Sequence, residues 1–177
     1  MNNRENGFTL IELVIVIVIL GILAASALPR FIDLSKEAKI ATVQGVEGAV
    51  RDTSILFHAK ALVKKVSNGS VAFEGHNIAM KNGYLDDYWN GVWRYTLDVG
   101  KEISYTGSGS TCTKNALCGV GNQGSAPGLP FTAPSSSMMF IWLKGEKLSD
   151  QCYVYYNRAE LPGDSPRIGS VITGCND

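Results

Sequence analysis

An apolar run near the start of the chain constrains its fold more than any other feature. Residues 7–31 read GFTLIELVIVIVILGILAASALPRF, and Glu12 is the one ionisable side chain between Phe8 and Leu28. A helix of these 21 residues, rising about 1.5 Å per residue, matches the ~30 Å hydrocarbon core of a bilayer. An acid in such a helix costs about 2.5–3.5 kcal/mol at the bilayer centre and less near an end. The run therefore predicts a membrane-spanning helix whose acid requires a separate explanation.

A cleaved secretory signal is the second interpretation of the same run. Ala25-Ser26-Ala27 satisfies the small-residue rule for a cleavage site after an apolar stretch. Against it, the preceding segment carries Arg4 offset by Glu5, the apolar run is long for a signal, and Glu12 has no use in a discarded peptide. Cleavage after Ala27 would make the chain a secreted enzyme or binding protein.

The start of the run resembles the processing site of the type IV pilins and their pseudopilin relatives. The motif is Gly7-Phe8-Thr9-Leu10-Ile11-Glu12, and Gly21 and Pro29 fall where that family places a glycine and a proline. The resemblance implies that a prepilin peptidase cuts after Gly7 and methylates the new amine of Phe8. The hydrophobic helix then stays on the mature protein.

That resemblance also divides the chain and gives Glu12 a role. It implies a prepilin leader at 1–7, a transmembrane and filament-core helix at 8–28, and an amphipathic helix with a globular head at 29–177. In the filament it implies that Glu12 is neutralised by the Phe8 amine of a neighbouring subunit. Two unit charges ~4 Å apart interact by roughly 4 kcal/mol at an effective dielectric of 20, before desolvation is subtracted.

Two residues are expected to weaken the apolar helix. Pro29 removes a backbone donor, and Gly21 lowers helix propensity by about 1 kcal/mol relative to alanine. These properties predict a mild kink in an isolated subunit. The resemblance to assembled pili implies local melting of the stretch between Gly21 and Pro29 inside the fibre.

The rest of the chain predicts an α+β domain. Apolar and small residues at helical spacing extend the helix to about Lys64 or Lys65. An antiparallel sheet of roughly four to six strands follows, with Met138–Leu143 as its buried central strand and one hairpin formed by Val92–Val99 and Ile103–Tyr105. The segment Lys81-Asn82-Gly83-Tyr84 predicts a turn. One long helix packed on such a sheet is the α+β class, and here it agrees with the type IV pilin fold.

Four cysteines, all in the second half, indicate disulfides of an exported protein. Four cysteines allow three connectivities, and the sequence alone does not choose among them. Proximity favours Cys112 with Cys118 and Cys152 with Cys175. The second pair looks like the C-terminal disulfide loop typical of type IV pilins.

No motif of an enzyme, metal site or cofactor site emerges. Gly119–Gly124 spells G-x-G-x-x-G, but a cysteine precedes it and a Ser/Pro-rich segment follows, so a flexible loop is expected instead of a dinucleotide site. Asp86-Asp87 lacks the regular ligand spacing of a calcium loop. The tryptophans are expected in the core, with stacking on a sugar as the alternative. We therefore expect no cofactor, no metal and no catalytic activity.

The globular half most resembles the mannose-sensitive haemagglutinin (MSHA) pilins, through Asn82-Gly83-Tyr84 and the ending Cys152-Tyr153-Val154 to Gly174-Cys175. The resemblance implies a major pilin that is inserted in the inner membrane and then polymerises into an extracellular filament for attachment, adhesion and biofilm formation. Its implied partners are other copies of itself, the prepilin peptidase, the assembly machinery and surface glycans. Sixteen Lys and Arg balance sixteen Asp and Glu, so no nucleic acid is expected. A type II secretion pseudopilin and a minor pilin are the alternatives.

Overall fold

The computed structural model describes residues 9–134 and 137–176, with the backbone alone at 27–29 and 31–33. These residues form two compact units, one that ends at Ala38 and one at Lys39–Asn176, which we call the head unit. Helix α1 (Leu10–Lys64) has 55 residues and contributes to both units. Its end agrees with the predicted boundary, and Lys65, with a left-handed φ of 55°, is the first residue outside it.

The first sheet of the head unit has three antiparallel strands. They are β1 (Gly69–Phe73), β2 (His76–Lys81) and β3 (Tyr84–Leu85). Asn82 and Gly83 connect β2 to β3 with φ angles of 50° and 83°. Two successive positive φ angles are what a tight hairpin turn requires, so the turn predicted at Asn82-Gly83 is confirmed.

The second sheet has five strands in the order β4-β5-β6-β7-β8. The strands are β4 (Ile103–Tyr105), β5 (Leu117–Gln123), β6 (Met138–Leu143), β7 (Tyr153–Asn157) and β8 (Arg167–Val171). All neighbours pair antiparallel except β4 and β5, which are parallel. Strand β6 lies at the centre and is almost entirely buried, as predicted for its unbroken apolar sequence.

The hairpin predicted for Val92–Val99 and Ile103–Tyr105 is wrong. The chain instead forms a π-helical turn at Trp89–Trp93, followed by the short helix α2 (Arg94–Thr96). Trp89, Val92 and Trp93 are all buried. Their spacing of three and four residues is helical, and one side of a helical turn explains their common burial better than a strand with alternating faces.

The flexible loop predicted at Gly119–Gly124 is also wrong, because most of this segment belongs to β5. A Cβ at Gly119 would lie 2.1 Å from Cη2 of Trp89, and one at Gly121 would lie 2.0 Å from the carbonyl oxygen of Asp87. Glycine within a strand marks such close approaches. The two glycines therefore let the turn around Trp89 pack directly against the sheet.

Two apolar clusters and two disulfides stabilise the head unit. The larger cluster packs the α1 residues Val43, Val50 and Phe57 together with side chains such as Trp93 of the π-helical turn and Ile141 of β6. The smaller cluster lies around Trp142 and Tyr153. The disulfides join Cys112 to Cys118 and Cys152 to Cys175, the pairing that proximity favours. A long helix packed on largely antiparallel β-structure confirms the predicted α+β class.

Candidate functional site

The first turn of α1 holds the best-defined candidate site. Oε2 of Glu12 accepts a hydrogen bond of 2.9 Å from the Thr9 amide and one of 2.7 Å from the Thr9 hydroxyl. In return, the Thr9 hydroxyl oxygen accepts a bond of 3.3 Å from the Glu12 amide. This reciprocal arrangement is a capping box, in which the side chains at the N-cap and at the third helical position satisfy each other's backbone donors. The spacing Thr-x-x-Glu is its sequence signature, although the box is absent from the predictions above.

Only one oxygen of the Glu12 carboxylate takes part in the capping box. Both bonds from Thr9 end on Oε2, and Oε1 has no hydrogen bond within the described part of the chain. A carboxylate oxygen accepts further donors, including a charged ammonium group. The predicted processing residues Gly7 and Phe8 lie outside the described residues.

The first part of α1, on both sides of Glu12 in the sequence, exposes apolar side chains all round the helix. Twelve large apolar residues are between 39% and 80% exposed: Leu10, Ile11, Leu13, Val14, Ile15, Val16, Ile17, Val18, Ile19, Leu20, Ile22 and Leu23. A helix that is apolar all round has no solvent-facing side, and a contiguous apolar surface of this extent marks a contact with lipid or protein.

Among the residues that the structure describes, no helix combines the length and the apolarity needed to cross a membrane.

Gly21 lies in the middle of the apolar segment. Apart from its own helix, no described heavy atom lies within 4 Å of the position that a Cβ would occupy there. The backbone at Pro29 is α-helical as well. Within the described residues, therefore, no steric contact requires glycine at position 21.

Charged groups of the head unit attach the C-terminal region to α1. Lys39 Nζ donates to Glu146 Oε1 at 2.9 Å and to the carbonyl oxygen of Asn176 at 2.8 Å. About three turns further along α1, Arg51 pairs with Glu47 at 2.7 Å and also donates to the carbonyl oxygen of Ile168. With the Cys152–Cys175 bond, these contacts fix the C-terminal part of the head unit against the helix.

Asp86 and Asp87, the acidic pair without calcium-loop spacing, bind Arg158. Its Nη1 lies 2.9 Å from a carboxylate oxygen of each aspartate. Asp87 is 2% exposed, and its Oδ2 also accepts a 2.8 Å bond from the amide of Asn122. Burial, reinforced by the neighbouring Asp86 carboxylate, raises the pKa of Asp87 to about 7 even though Arg158 opposes the shift. No local pattern points to Arg158, which is 71 residues from Asp87 in the chain.

The comparisons with known proteins bear on the N-terminal segment first. Residues 2–28 match the family described as the prokaryotic N-terminal methylation motif. The major component of the type IV narrow pilus of Thermus thermophilus is 60% identical over 48 residues, which cover 27% of this chain and 41% of that protein. A type IV major pilin of Neisseria gonorrhoeae is 56% identical over 110 residues, which cover 58% of this chain and 60% of that protein.

A third relative, the type IV major alpha-pilin of Moraxella bovis, is 44% identical over 63 residues, or 34% of this chain and 40% of that protein. The chain thus spans between 40% and 60% of the length of these three relatives. No solved structure matches it. The match to the methylation motif and the pilin relatives confirm the predicted resemblance to the type IV pilins, and the α+β fold agrees with it.

Proposed function

We propose that this chain is a structural subunit of a type IV pilus, most similar to an MSHA major pilin. The observation that carries the proposal is the start of α1, where an apolar helix exposed on all sides follows a capped glutamate. Such an apolar surface is stable only when it is buried, and in a helical filament neighbouring copies of the same helix bury it. The relatives, named as major pilins or a major pilus component, support a pilin over a secretion pseudopilin.

Processing prepares the subunit for assembly. A prepilin peptidase cuts between Gly7 and Phe8 and methylates Phe8, so the leader 1–7 is lost and 8–28 stays as the anchor and filament core. Until assembly the helix lies in the inner membrane, and 29–177 carries the head. The match of 2–28 to the methylation motif supports this order of events.

Glu12 selects the position of the incoming subunit. Its Oε2 caps its own helix, so Oε1 can receive the positive Phe8 amine of a neighbour without breaking the cap. In an apolar environment an unpaired charge is strongly unfavourable, and the pairing therefore fixes the axial register of the two helices. Gly21 and Pro29 allow the helix between them to melt in the fibre.

Outside the cell the filament serves attachment, adhesion and biofilm formation. The head units decorate its surface, and the Cys152–Cys175 loop is held against α1 through Arg51, which donates to the carbonyl oxygen of Ile168. Resemblance of Asn82-Gly83-Tyr84 and of the Cys152 to Cys175 region to MSHA pilins supports surface glycans as binding partners.

Two measurements test the proposal. Mass spectrometry of the exported protein determines its first residue, and methylated Phe8 is the expected result. A first residue of Leu28 would show an ordinary secretory signal and refute the pilin. Electron microscopy of sheared filaments, with mass spectrometry of their main component, then separates a major pilin from a minor pilin or a pseudopilin, since only a major pilin makes up most of the filament.

A further inference from the structure

A polar cleft of about 550 Å³ lies beside β4, the edge strand of the five-stranded sheet. Three separate segments form it: 89–97, 101–105 and 114–115. We call it the edge cleft, and it is lined by Trp89, Trp93, Arg94, Leu97, Lys101, Glu102, Ile103, Ser104, Tyr105, Lys114 and Asn115. Its volume is within the range of small-molecule sites.

Three cations lie together in the lining of the edge cleft. Arg94, Lys101 and Lys114 are exposed, and none forms an ion pair within the described ranges. Glu102 is the one acid in the lining, so the cleft carries a net positive charge. Arg51 and Arg158, in contrast, are each paired with carboxylates. The edge cleft thus concentrates positive charge that the protein itself does not neutralise, which favours an anionic ligand.

One disulfide organises a wall of the edge cleft. Lys114 and Asn115 lie inside the loop closed by Cys112 and Cys118. The backbone of Cys112 is also bonded on both sides, donating to the Glu146 carbonyl at 3.0 Å and accepting from the Gly145 amide at 2.8 Å. A wall fixed in this way loses little conformational entropy when a ligand binds.

The other side chains of the edge cleft suit a sugar. Tyr105 is 57% exposed and its ring offers a flat apolar face, while Trp89 and Trp93 form a buried apolar floor. Ser104 and Asn115 add hydroxyl and amide groups that can both donate and accept hydrogen bonds. One exposed aromatic ring is too few for successive stacked bases, and a net charge of zero over the chain provides no long-range attraction for a polynucleotide.

We propose that the edge cleft binds an acidic saccharide, with its carboxylate against Arg94, Lys101 and Lys114 and a sugar ring against Tyr105. This site belongs to the head unit alone, and it does not depend on whether the chain assembles into a filament.

The test is a titration of the full-length protein in detergent micelles with trigalacturonic acid, an acidic trisaccharide. Tryptophan fluorescence is the readout, because Trp89 and Trp93 form the floor of the edge cleft. We expect a saturable change with a Kd of ~1 mM or tighter. The neutral trisaccharide maltotriose should bind at least about tenfold more weakly, since it lacks the charge-assisted bonds.

Matched variants locate the site. The double variant Lys101→Gln/Lys114→Gln should weaken trigalacturonic acid binding about tenfold, and Tyr105→Ala should weaken it as well. The control Lys81→Gln/Lys144→Gln removes two exposed cations outside the edge cleft and should bind normally. Thermal melting of each variant confirms folding.

Four results would each overturn the proposal. They are no saturable change with trigalacturonic acid, equal affinity for maltotriose, unchanged binding by a folded Lys101→Gln/Lys114→Gln variant, and competition by a single-stranded oligonucleotide or inorganic phosphate at lower concentration than the saccharide.

Discussion

The side chains of Thr9 and Glu12 each accept a hydrogen bond from the other's backbone amide at the start of α1, and both bonds from Thr9 to the carboxylate end on the same oxygen, Oε2. Glu12 therefore has two separable properties. One carboxylate oxygen caps its own helix, and the negative charge leaves the second oxygen able to bind a cation of another molecule. Substitutions at the two positions can distinguish these properties, because glutamine retains the capping geometry and loses the charge.

The first prediction concerns this separation. Glu12→Gln and Glu12→Val should both reduce filament yield by about tenfold or more, because each removes the charge that we propose pairs with the neighbouring amine. Thr9→Val removes the hydroxyl and with it two cap bonds, the one to Oε2 of Glu12 and the one from the Glu12 amide. This loss costs about 1 kcal/mol and should reduce the yield far less. Thr9→Ser is the control and should assemble normally. The yield is measured by electron microscopy of sheared filaments.

The same experiment has a clear opposite outcome. If capping is the main role of Glu12, Glu12→Gln should assemble like the unaltered protein and Thr9→Val should fail like Glu12→Val. The first residue of each exported variant should remain Phe8, which shows that processing is unaffected and that any loss arises in assembly.

The second prediction compares the two disulfides. Replacing Cys152 and Cys175 with alanine should lower the free energy of unfolding by about 3 kcal/mol, because the bond closes a long loop in the unfolded chain. Cys112 and Cys118 are separated by 6 positions in the sequence, whereas Cys152 and Cys175 are separated by 23. Removal of the Cys112–Cys118 bond should cost about 2 kcal/mol. Urea denaturation followed by tryptophan fluorescence measures both values, and a larger loss for the shorter loop would contradict the loop-entropy explanation.

The third prediction concerns the glycines of β5. Gly119→Ala would push a methyl group into the ring of Trp89, and Gly121→Ala would push one into the backbone at Asp87. Overpacking of this kind costs about 1–3 kcal/mol, and the rigid backbone at Asp87 makes the Gly121 variant the worse of the two. Urea denaturation should show both losses.

Gly48→Ala is the matched control for these variants. Gly48 lies in α1, and apart from that helix no described heavy atom lies within 4 Å of the point where an alanine methyl would stand. Alanine also favours the helix over glycine, so this variant should gain about 0.5–1 kcal/mol. A Gly119→Ala protein as stable as the unaltered one would show that Trp89 can move away.

Local sequence patterns are sufficient to predict the elements whose formation depends on residues close together in the chain. The end of α1, the Asn82-Gly83 turn and the buried strand β6 all follow from short-range spacing or composition, and the structure confirms each of them. The capping box of Thr9 and Glu12 is equally local. Its Thr-x-x-Glu signal lies within the processing motif. That motif already implies a charge pairing for Glu12, which explains the acid without any role for Thr9.

Contacts between distant segments account for what local patterns do not reveal. The glycine-rich sequence of β5 is typical of a loop. Its glycines are required instead by the close approach of Trp89 and Asp87, which lie far earlier in the chain. Its parallel pairing with β4 and the binding of Arg158 by Asp86 and Asp87 likewise depend on tertiary structure. Tertiary context regularly overrides such local preferences.

The last prediction follows from Asp87, whose pKa is raised from 3.8 to about 7 by burial and by the Asp86 carboxylate beside it. Between these two values the folded protein holds a proton that the unfolded chain has released. Stability is therefore greatest at the acidic end of this range, and it falls as the pH rises through about 7. The adjacent Asp86, whose pKa is lowered, affects stability only at more acidic pH.

Urea midpoints measured at pH 5 and pH 8 test this relationship. We expect a lower midpoint at pH 8 for the unaltered protein and a smaller difference between the two pH values in Asp87→Asn, which has no carboxyl proton to lose. Asp52→Asn changes an exposed aspartate of α1 and should retain the full difference. A midpoint that rises with pH, or a difference that persists in Asp87→Asn, would show that Asp87 stays ionised as the partner of Arg158 throughout this range.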